Sequence, residues 1–501
     1  MSFGEVFSRD RQVIPRWHTY PVARWLGMTK PLGGPAKQEI QDEDYLKRLW
    51  SWKDKGKVAH AADLVGSALV LNKIDDESAI EAAKFISEKR KFITAPLLEI
   101  AESFLRLAGN KPFPIPGIIL PEETKNFYGA IANLKKRARE YPRNPIMWLD
   151  LAFYYSAIGQ QDPAEDAAAV ALSLNKENRY LLRSGCRFLI HNKSPEKALA
   201  LLRQSDVGRH DPWLIAAEIA LSDILNISSR QIKFAKSMIV SDSISKFHLS
   251  ELACALGTIE FKNGSRKTGK KMFVFALEDP TENTVAQVSF IKNVYGESIN
   301  LLNMDRFPHS FEAQTIVKIK KGDLLGALEA AKNWLAYQPF SSRPAVAASY
   351  ISSVGLGDFE EAKKIAKMGL NATPDEFMLK NNLAFSLASL GEFEEASKVL
   401  KTIHDSQLAE SDKSVLSATR GVIEFRQGNS SEGRRLYKEA IASFKKQKDM
   451  RSEGLAKFFW AREESKINSP DAHRLYEEAL VIADKLNLAE ILQHFDQNKE
   501  K

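Results

Sequence analysis

The stretch "WLDLAFYYSAIG", which runs from Trp148 to Gly159, carries the pattern that decides the fold. Its key residues follow one another at offsets of 0, 3, 4, 7 and 11, at Trp148, Leu151, Ala152, Tyr155 and Gly159. Such offsets place side chains on one face of an α-helix, and glycine commonly ends a helix. A second helical pattern follows, with small residues at Ala164, Ala168 and Ala171. The stretch therefore predicts a helix–turn–helix hairpin whose two helices approach closely.

The small residues of this hairpin return at a fixed interval. Ala130, Ala164 and Ala198 are spaced 34 residues apart. The same interval separates Gly357 from Gly391 and Ala362 from Ala396 later in the chain. Self-similarity at a period of this length is typical of repeat architectures, in which each unit buries its apolar face against its neighbours.

The residues of the first hairpin match the pattern of a known family. Trp148, Leu151, Ala152, Tyr155, Gly159, Ala164 and Ala171 agree with the tetratricopeptide repeat (TPR) pattern position by position, and the chain therefore resembles that family. The resemblance implies an all-α fold in which about ten to twelve helix–turn–helix units stack into a right-handed superhelix, or α-solenoid.

A second signature occurs twice. "GTIEFKNG", from Gly257 to Gly264, returns as "GVIEFRQG", from Gly421 to Gly428. We interpret the first glycine of each copy as a close-packing position and the second as the turn between two helices. The copies lie 164 residues apart, which is not a multiple of 34, so we expect an irregular break in the array around 280–307.

Composition and pattern divide the chain into six segments. The first contains Trp17, Tyr20 and Trp25 among prolines and glycines, and its aromatic content argues against simple disorder. We expect it to pack on the array or to be held by a partner. The predicted segments are an extended N-terminal arm (1–40), divergent helical repeats ending in a proline-rich link (41–122), a regular TPR block (123–212), divergent repeats (213–307), a second regular block (308–410) and C-terminal TPR-like repeats (411–501).

Charge and cysteine content favour a cytoplasmic protein. The 501 residues carry a modest formal net charge of +7, which permits an acidic partner without requiring one. The two cysteines, Cys186 and Cys254, lie too far apart in sequence for a disulfide framework or a typical metal spacing. The N-terminus lacks an apolar stretch of signal-peptide length, and no run of about 18 apolar residues predicts a membrane span.

No catalytic motif accompanies these repeats. The stretch "GSRKTGKK" at 264–271 departs from a phosphate-binding loop in its glycine spacing and in lacking Ser or Thr after the lysine. The nine histidines are scattered, without an HExxH or Cys/His metal pattern. We therefore expect no enzymatic activity, no catalytic residues, no cofactor and no metal.

The TPR resemblance implies that first helices line a concave groove that binds partners. Arg183 and Arg187 lie one turn apart on the predicted groove face, where their charges repel unless an acid answers them. That acid is either a carboxylate or phosphate of a partner, or an acidic residue of an adjacent unit. The other candidate groove residues are Tyr180, His191, Ile146, Leu149, Phe153, Asn381, Phe385 and Lys457.

We accordingly predict a protein–protein interaction scaffold or adaptor that binds a partner peptide or domain of acidic character in its groove. A nucleic-acid-binding helical-repeat protein is one alternative, because short basic runs occur at 135–139 and 266–271. We place these runs on second helices, where a solvated surface is the more ordinary interpretation. A regulatory TPR protein whose curvature responds to a bound peptide is the other alternative.

Overall fold

The computed structural model describes residues 11–30, 32, 42–70, 73, 76–108, 124–241, 243–295 and 307–493. Within these ranges the regular structure is helical and includes no β-strand. The predicted proline-rich link and residues 296–306 of the predicted break lie outside the described residues, as do residues 1–10, 31 and 33–41.

The helices of the N-terminal half are α1 (Tyr20–Trp25), α2 (Asp42–Lys55), α3 (Val58–Val70), α4 (Glu77–Glu88), α5 (Ala95–Ala108), α6 (Thr124–Glu140), α7 (Pro145–Ala157), α8 (Gln161–Leu174), α9 (Arg179–His191), α10 (Pro195–Gln204), α11 (Pro212–Ile224) and α12 (Ile232–Val240).

The helices of the C-terminal half are α13 (Lys246–Lys262), α14 (Arg266–Ala276), α15 (Glu282–Tyr295), α16 (Phe311–Lys320), α17 (Leu324–Tyr337), α18 (Ser342–Tyr350), α19 (Phe359–Ala372), α20 (Phe377–Leu390), α21 (Phe393–Lys401), α22 (Glu410–Arg426), α23 (Ser430–Lys446), α24 (Met450–Lys466) and α25 (Asp471–Leu486). Helix α18 continues as one π-helical turn, Ile351–Gly355.

The chain forms two compact units. The smaller unit contains helices α2 to α5, whose core includes Trp52, Leu64, Ile86 and Phe104. The larger unit contains the described residues up to Lys30 together with helices α6 to α25. None of the helices in the described ranges combines the length and the apolar character that crossing a membrane requires.

Helices of the larger unit pack in sequence-adjacent pairs. Pairs α7–α8, α13–α14, α22–α23 and α24–α25 are among those with the most extensive contacts. Each pair buries an apolar stripe between its two helices, and its remaining apolar face packs against the next pair, as in a solenoid.

The turns of these hairpins use left-handed backbone where the sequence places glycine. Gly159 has a φ of 73° between α7 and α8, and the turn glycines Gly264, Gly357, Gly391 and Gly428 also adopt positive φ. A side chain would strain the backbone there, because L-residues rarely adopt this region.

The repeated glycine signature marks two equivalent close approaches. A Cβ on Gly257 would lie 2.9 Å from the ring of Phe273, and a Cβ on Gly421 would lie 3.0 Å from the ring of Tyr437. Both glycines are buried in the first helix of a hairpin, so the two copies bring their helices together in the same way.

Candidate functional site

Residues 11–30, which we call the N-terminal segment, lie against the first helices of the larger unit. Trp17 is fully buried. Its ring centroid lies 5.2 Å from that of Phe153, 5.7 Å from that of Phe188 and 5.0 Å from that of Phe340. Aromatic clusters of this size contribute strongly to a core. The segment therefore packs on the array as an integral part of the fold.

Polar side chains bind the main chain of the N-terminal segment. The Tyr180 hydroxyl shares its one proton between the His18 carbonyl at 2.9 Å and a carboxylate oxygen of Asp150 at 3.1 Å. The Tyr20 N–H donates to the same Asp150 oxygen at 2.8 Å. Further along the segment, the amide of Asn283 donates to the Ile14 carbonyl at 2.9 Å. The amide of Gln287 likewise donates to the Arg11 carbonyl, at 2.8 Å.

Two arginines of the segment are held by carboxylates of the array. Arg11 donates to both carboxylate oxygens of Glu312 at 3.0 and 3.1 Å. Arg16 also pairs with Glu312 and donates to Gln338. His18 lies 2.8 Å from a carboxylate oxygen of Glu282. The acids Glu282 and Glu312 belong to α15 and α16, more than 260 residues along the chain, where no sequence motif marks them.

The candidate arginines on α9 have different surroundings. Arg183 is buried and donates two hydrogen bonds of 3.0 Å to Glu251. Arg187 lies over the ring of Phe340 at 5.1 Å and forms no ion pair with a described residue. The acid that neutralises each of these arginines could come from a partner or from the chain itself. Among the described residues, the chain supplies such an acid for Arg183 alone.

The remaining candidates near α9 are enclosed to different degrees. Phe153 and Leu149 are buried, whereas Ile146 and His191 are half-buried. The ring of His191 lies edge-on to that of Phe340 at 5.4 Å. Burial, followed by the charge of Arg187, lowers the pKa of His191 to about 4, so its imidazole is neutral at physiological pH.

The later candidates Asn381 and Phe385 line an apolar pocket, which we call the C-terminal pocket. It lies between helices α20, α22, α23 and α24, and its other lining residues include Val415, Thr419 and Phe459. Asn381 is 1% exposed, and neither its amide nitrogen nor its amide oxygen has a hydrogen-bond partner among the described residues. Burying an unpaired amide is costly, since hydration is lost without replacement.

A cation lies beside this pocket. The Arg462 guanidinium lies 4.7 Å from the ring centroid of Phe459 and 5.7 Å from that of Phe385. Its Nη2 atom is buried without a hydrogen-bond partner in the described part of the chain. Its Nε atom lies 3.4 Å from a carboxylate oxygen of Glu463. Lys457 pairs with Glu453 at 2.8 Å and Glu478 at 2.9 Å.

The candidate reactive groups are inert or exposed. Cys186 and Cys254 are buried and unpaired, and burial raises the pKa of the Cys186 thiol to about 12. No group of three or more His, Cys, Asp or Glu within the described ranges is arranged to hold a metal ion. Lys267 and Lys271 of the basic run on α14 are exposed.

Comparison with known proteins found no matching family model and no matching curated protein. Solved structures with similar helical arrangements include the Cut9–Hcn1 hetero-tetramer of the APC/C, at 13% identity and a TM-score of 0.37, covering 90% of this chain and 87% of that one. Yeast Tom70 matches at 13% identity and a TM-score of 0.31, covering 87% and 96%. The human IFIT1 dimer with PPP-AAAA matches at 14% identity and a TM-score of 0.30, covering 88% and 95%.

The fold follows from the chain's own helices. Sequential hairpins, glycine turns and the 34-residue interval occur together in the described residues. The all-α fold predicted from the sequence is confirmed: in the described residues, helix–turn–helix hairpins pack one after another along the chain, as in a solenoid.

Proposed function

We propose that this protein is an interaction scaffold that binds a peptide segment of a partner protein at the C-terminal pocket. The observation that carries the proposal is the Asn381 amide, which is buried beside an apolar pocket with neither its donor nor its acceptor paired to a described residue. A peptide backbone supplies the complementary carbonyl and N–H, and an apolar side chain of the same peptide would fill the pocket.

The N-terminal segment supports this mode of binding. There the array already holds a non-helical stretch of chain by placing Trp17 among aromatic rings and pairing amides with main-chain groups. Asn283 and Gln287 perform that pairing from α15. Asn381 has the same kind of side chain on α20, but no chain segment answers it among the described residues.

The chemistry of the partner follows from the pocket and its neighbour. Val415 and Phe459 select an apolar anchor, because they offer apolar surface. Arg462 offers a guanidinium nitrogen that is not hydrogen-bonded to any described residue, and a carboxylate beside the anchor would accept from it. We therefore propose a peptide with an apolar residue next to an acidic one. The cytoplasmic location and the lack of enzymatic activity expected from the sequence stay predictions.

Selection of a displayed random peptide library on the full-length protein tests this proposal. We expect enrichment of peptides with an apolar residue flanked by Asp or Glu. A selected peptide should bind Asn381→Ala about tenfold or more weakly than the wild type, since one or two buried hydrogen bonds are lost. Asn429→Ala, at an exposed asparagine, serves as the matched control and should leave the affinity unchanged.

Two results would overturn the proposal. One is that no peptide is enriched above the background of an unrelated protein. The other is that enriched peptides bind the Asn381→Ala variant as tightly as they bind the wild type.

A further inference from the structure

A cavity of about 400 Å³ lies within the larger unit, apart from the C-terminal pocket. It is bounded by the C-terminal end of α9, the start of α18 and the turn between α19 and α20. Its basic lining residues are Arg187, His191, Lys193 and Arg343. The volume suits a small organic ligand.

The positively charged side chains around this cavity outnumber the acids. Glu312 alone pairs with Arg11, Arg16 and Arg343. The second acid near them, Glu282, lies 4.0 Å from Arg16. The charge of Glu251 also reaches Arg16, but that carboxylate is already paired with Arg183. Together with Arg187, these five arginines and the cavity residue Lys193 face five acids, which are the three glutamates and the cavity residues Asp375 and Glu376. The region thus holds an excess of one positive charge among the described residues.

Arg187 shows this imbalance most directly. It has no hydrogen bond and no ion pair with a described residue, and its contact with the Phe340 ring supplies only a cation–π interaction. Burial, then the charges of Arg16 and Arg343, lowers the pKa of Arg187 to about 10. Cations held together in this way are stabilised when an anion joins them.

Arg343 leaves donors available beside Arg187. Its Nη2 donates to Glu312 at 2.9 Å, whereas its Nε is buried without a hydrogen-bond partner in the described chain. Burial also lowers the pKa of Arg343 to about 10, and Glu312 opposes that shift. Each arginine therefore retains N–H groups that could answer an anion.

The start of α18 adds backbone donors to the same cavity. Ser341, its N-cap residue, makes no side-chain cap hydrogen bond, and Ser341, Ser342 and Arg343 all line the cavity. The first N–H groups of a helix have no intrahelical acceptor, so they favour an anion. Helix α18 begins a helical run that continues to Gly355.

Acids also line the cavity, but on its more exposed side. Asp375 is 77% exposed and lies 3.9 Å from Lys193. Glu376 precedes α20 and is half-buried. The carboxylate whose charge raises the pKa of both Arg187 and Arg343 is Glu312, not either of these acids.

We propose that this cavity is an oxyanion-binding site in which Arg187, Arg343 and the N-terminal N–H groups of α18 bind a phosphate group of a small molecule. Guanidinium groups and helix N-termini both bind phosphate, through charge-assisted hydrogen bonds and backbone N–H groups. A carboxylate, like a phosphate, presents negatively charged oxygens that accept hydrogen bonds, so the test also includes a carboxylate anion.

The test measures thermal unfolding of the full-length protein in inorganic phosphate, in succinate and in chloride at one ionic strength. We expect phosphate to raise the Tm of the wild type above its value in chloride. Arg187→Met should lose that increment while its Tm in chloride is no lower than the wild-type value, because the variant removes an unpaired cation and retains packing on Phe340. Arg420→Met, at an exposed arginine paired with Asp405, is the control and should keep the increment.

Isothermal titration of inorganic phosphate gives a second readout, with affinity for Arg187→Met expected to fall at least tenfold. An increment from succinate alone would support the oxyanion site and assign a carboxylate ligand to it. The proposal is overturned if neither anion raises the Tm above its value in chloride, or if Arg187→Met keeps the full increment. A large drop of the Arg187→Met Tm in chloride would overturn it too, because Arg187 would then be a structural residue.

Discussion

The guanidinium of Arg183 donates to both carboxylate oxygens of Glu251, each at 3.0 Å, across 68 residues of sequence. That separation is two repeat lengths of 34. The acid therefore lies on α13, two first helices after the α9 helix that carries Arg183, with α11 as the first helix between them. The guanidinium also lies 4.7 Å from the ring of Trp213 on α11. The pair therefore ties three successive first helices together inside the array.

Removing one partner of this pair should destabilise the protein strongly. Arg183→Met leaves the Glu251 carboxylate buried with only the Thr281 hydroxyl to answer it. We expect the free energy of unfolding to fall by about 3–5 kcal/mol, as for other broken buried ion pairs. Chemical denaturation followed by circular dichroism measures this change.

The double variant Arg183→Met/Glu251→Leu is the matched control for that experiment. It removes both charges and should recover most of the loss. A cost below about 1 kcal/mol for the single variant would show that the pair is not desolvated.

The close-packing glycines should tolerate no side chain. A Cβ on Gly257 would lie 2.9 Å from the ring of Phe273, so Gly257→Ala should lower the free energy of unfolding by about 1–3 kcal/mol. Gly129 lies on the exposed side of α6, where a Cβ would meet nothing within 4 Å, so Gly129→Ala should raise the free energy by about 0.5–1 kcal/mol. Equal effects of the two changes in urea denaturation would contradict this explanation of the repeated signature.

The hairpins could be predicted from the sequence because their determinants are local and periodic. Trp148, Ala164 and Gly159 sit at helical offsets, and each offset fixes a face or a turn. The N-terminal segment and its partners could not be predicted in the same way. Trp17 contacts Phe340 and Arg11 contacts Glu312, although the partners lie some 300 residues apart in sequence. Contacts of this kind leave no periodic pattern in the sequence. The candidate groove residues on α7 and α9 share a helical face, and the position of a residue on a face carries no information on what covers that face.

The contact of Trp17 with the array should be a major source of stability. Trp17→Ala removes a fully buried indole from among three aromatic rings, and we expect a loss of about 3–5 kcal/mol in the free energy of unfolding. Trp50 is 65% exposed, so Trp50→Ala should change that free energy by less than about 0.5 kcal/mol. Thermal and urea unfolding of both variants measure the difference, and a similar small effect at both positions would mean that the segment does not stay packed on the array.

The buried carboxyl group of Asp150, which contacts the N-terminal segment, should make the free energy of unfolding depend on pH. Burial raises the pKa of Asp150 to about 7, although hydrogen bonds from the Tyr20 N–H and the Tyr180 hydroxyl partly oppose the shift. The ordinary pKa of an unfolded aspartate is about 3.9, so the folded state binds the proton more tightly between these two values. Stability from this group is therefore fully present below about pH 4 and is lost as pH rises through about 7.

Asp150→Asn keeps an acceptor for both donors and carries no charge, so we expect its free energy of unfolding to exceed that of the wild type by about 2–4 kcal/mol at pH 8 and to match it at pH 4. Urea denaturation of the two proteins at pH 4, 6 and 8 tests this, because other titrating groups cancel in the difference. A difference that stays constant with pH would show that Asp150 is ionised in the folded protein throughout this range.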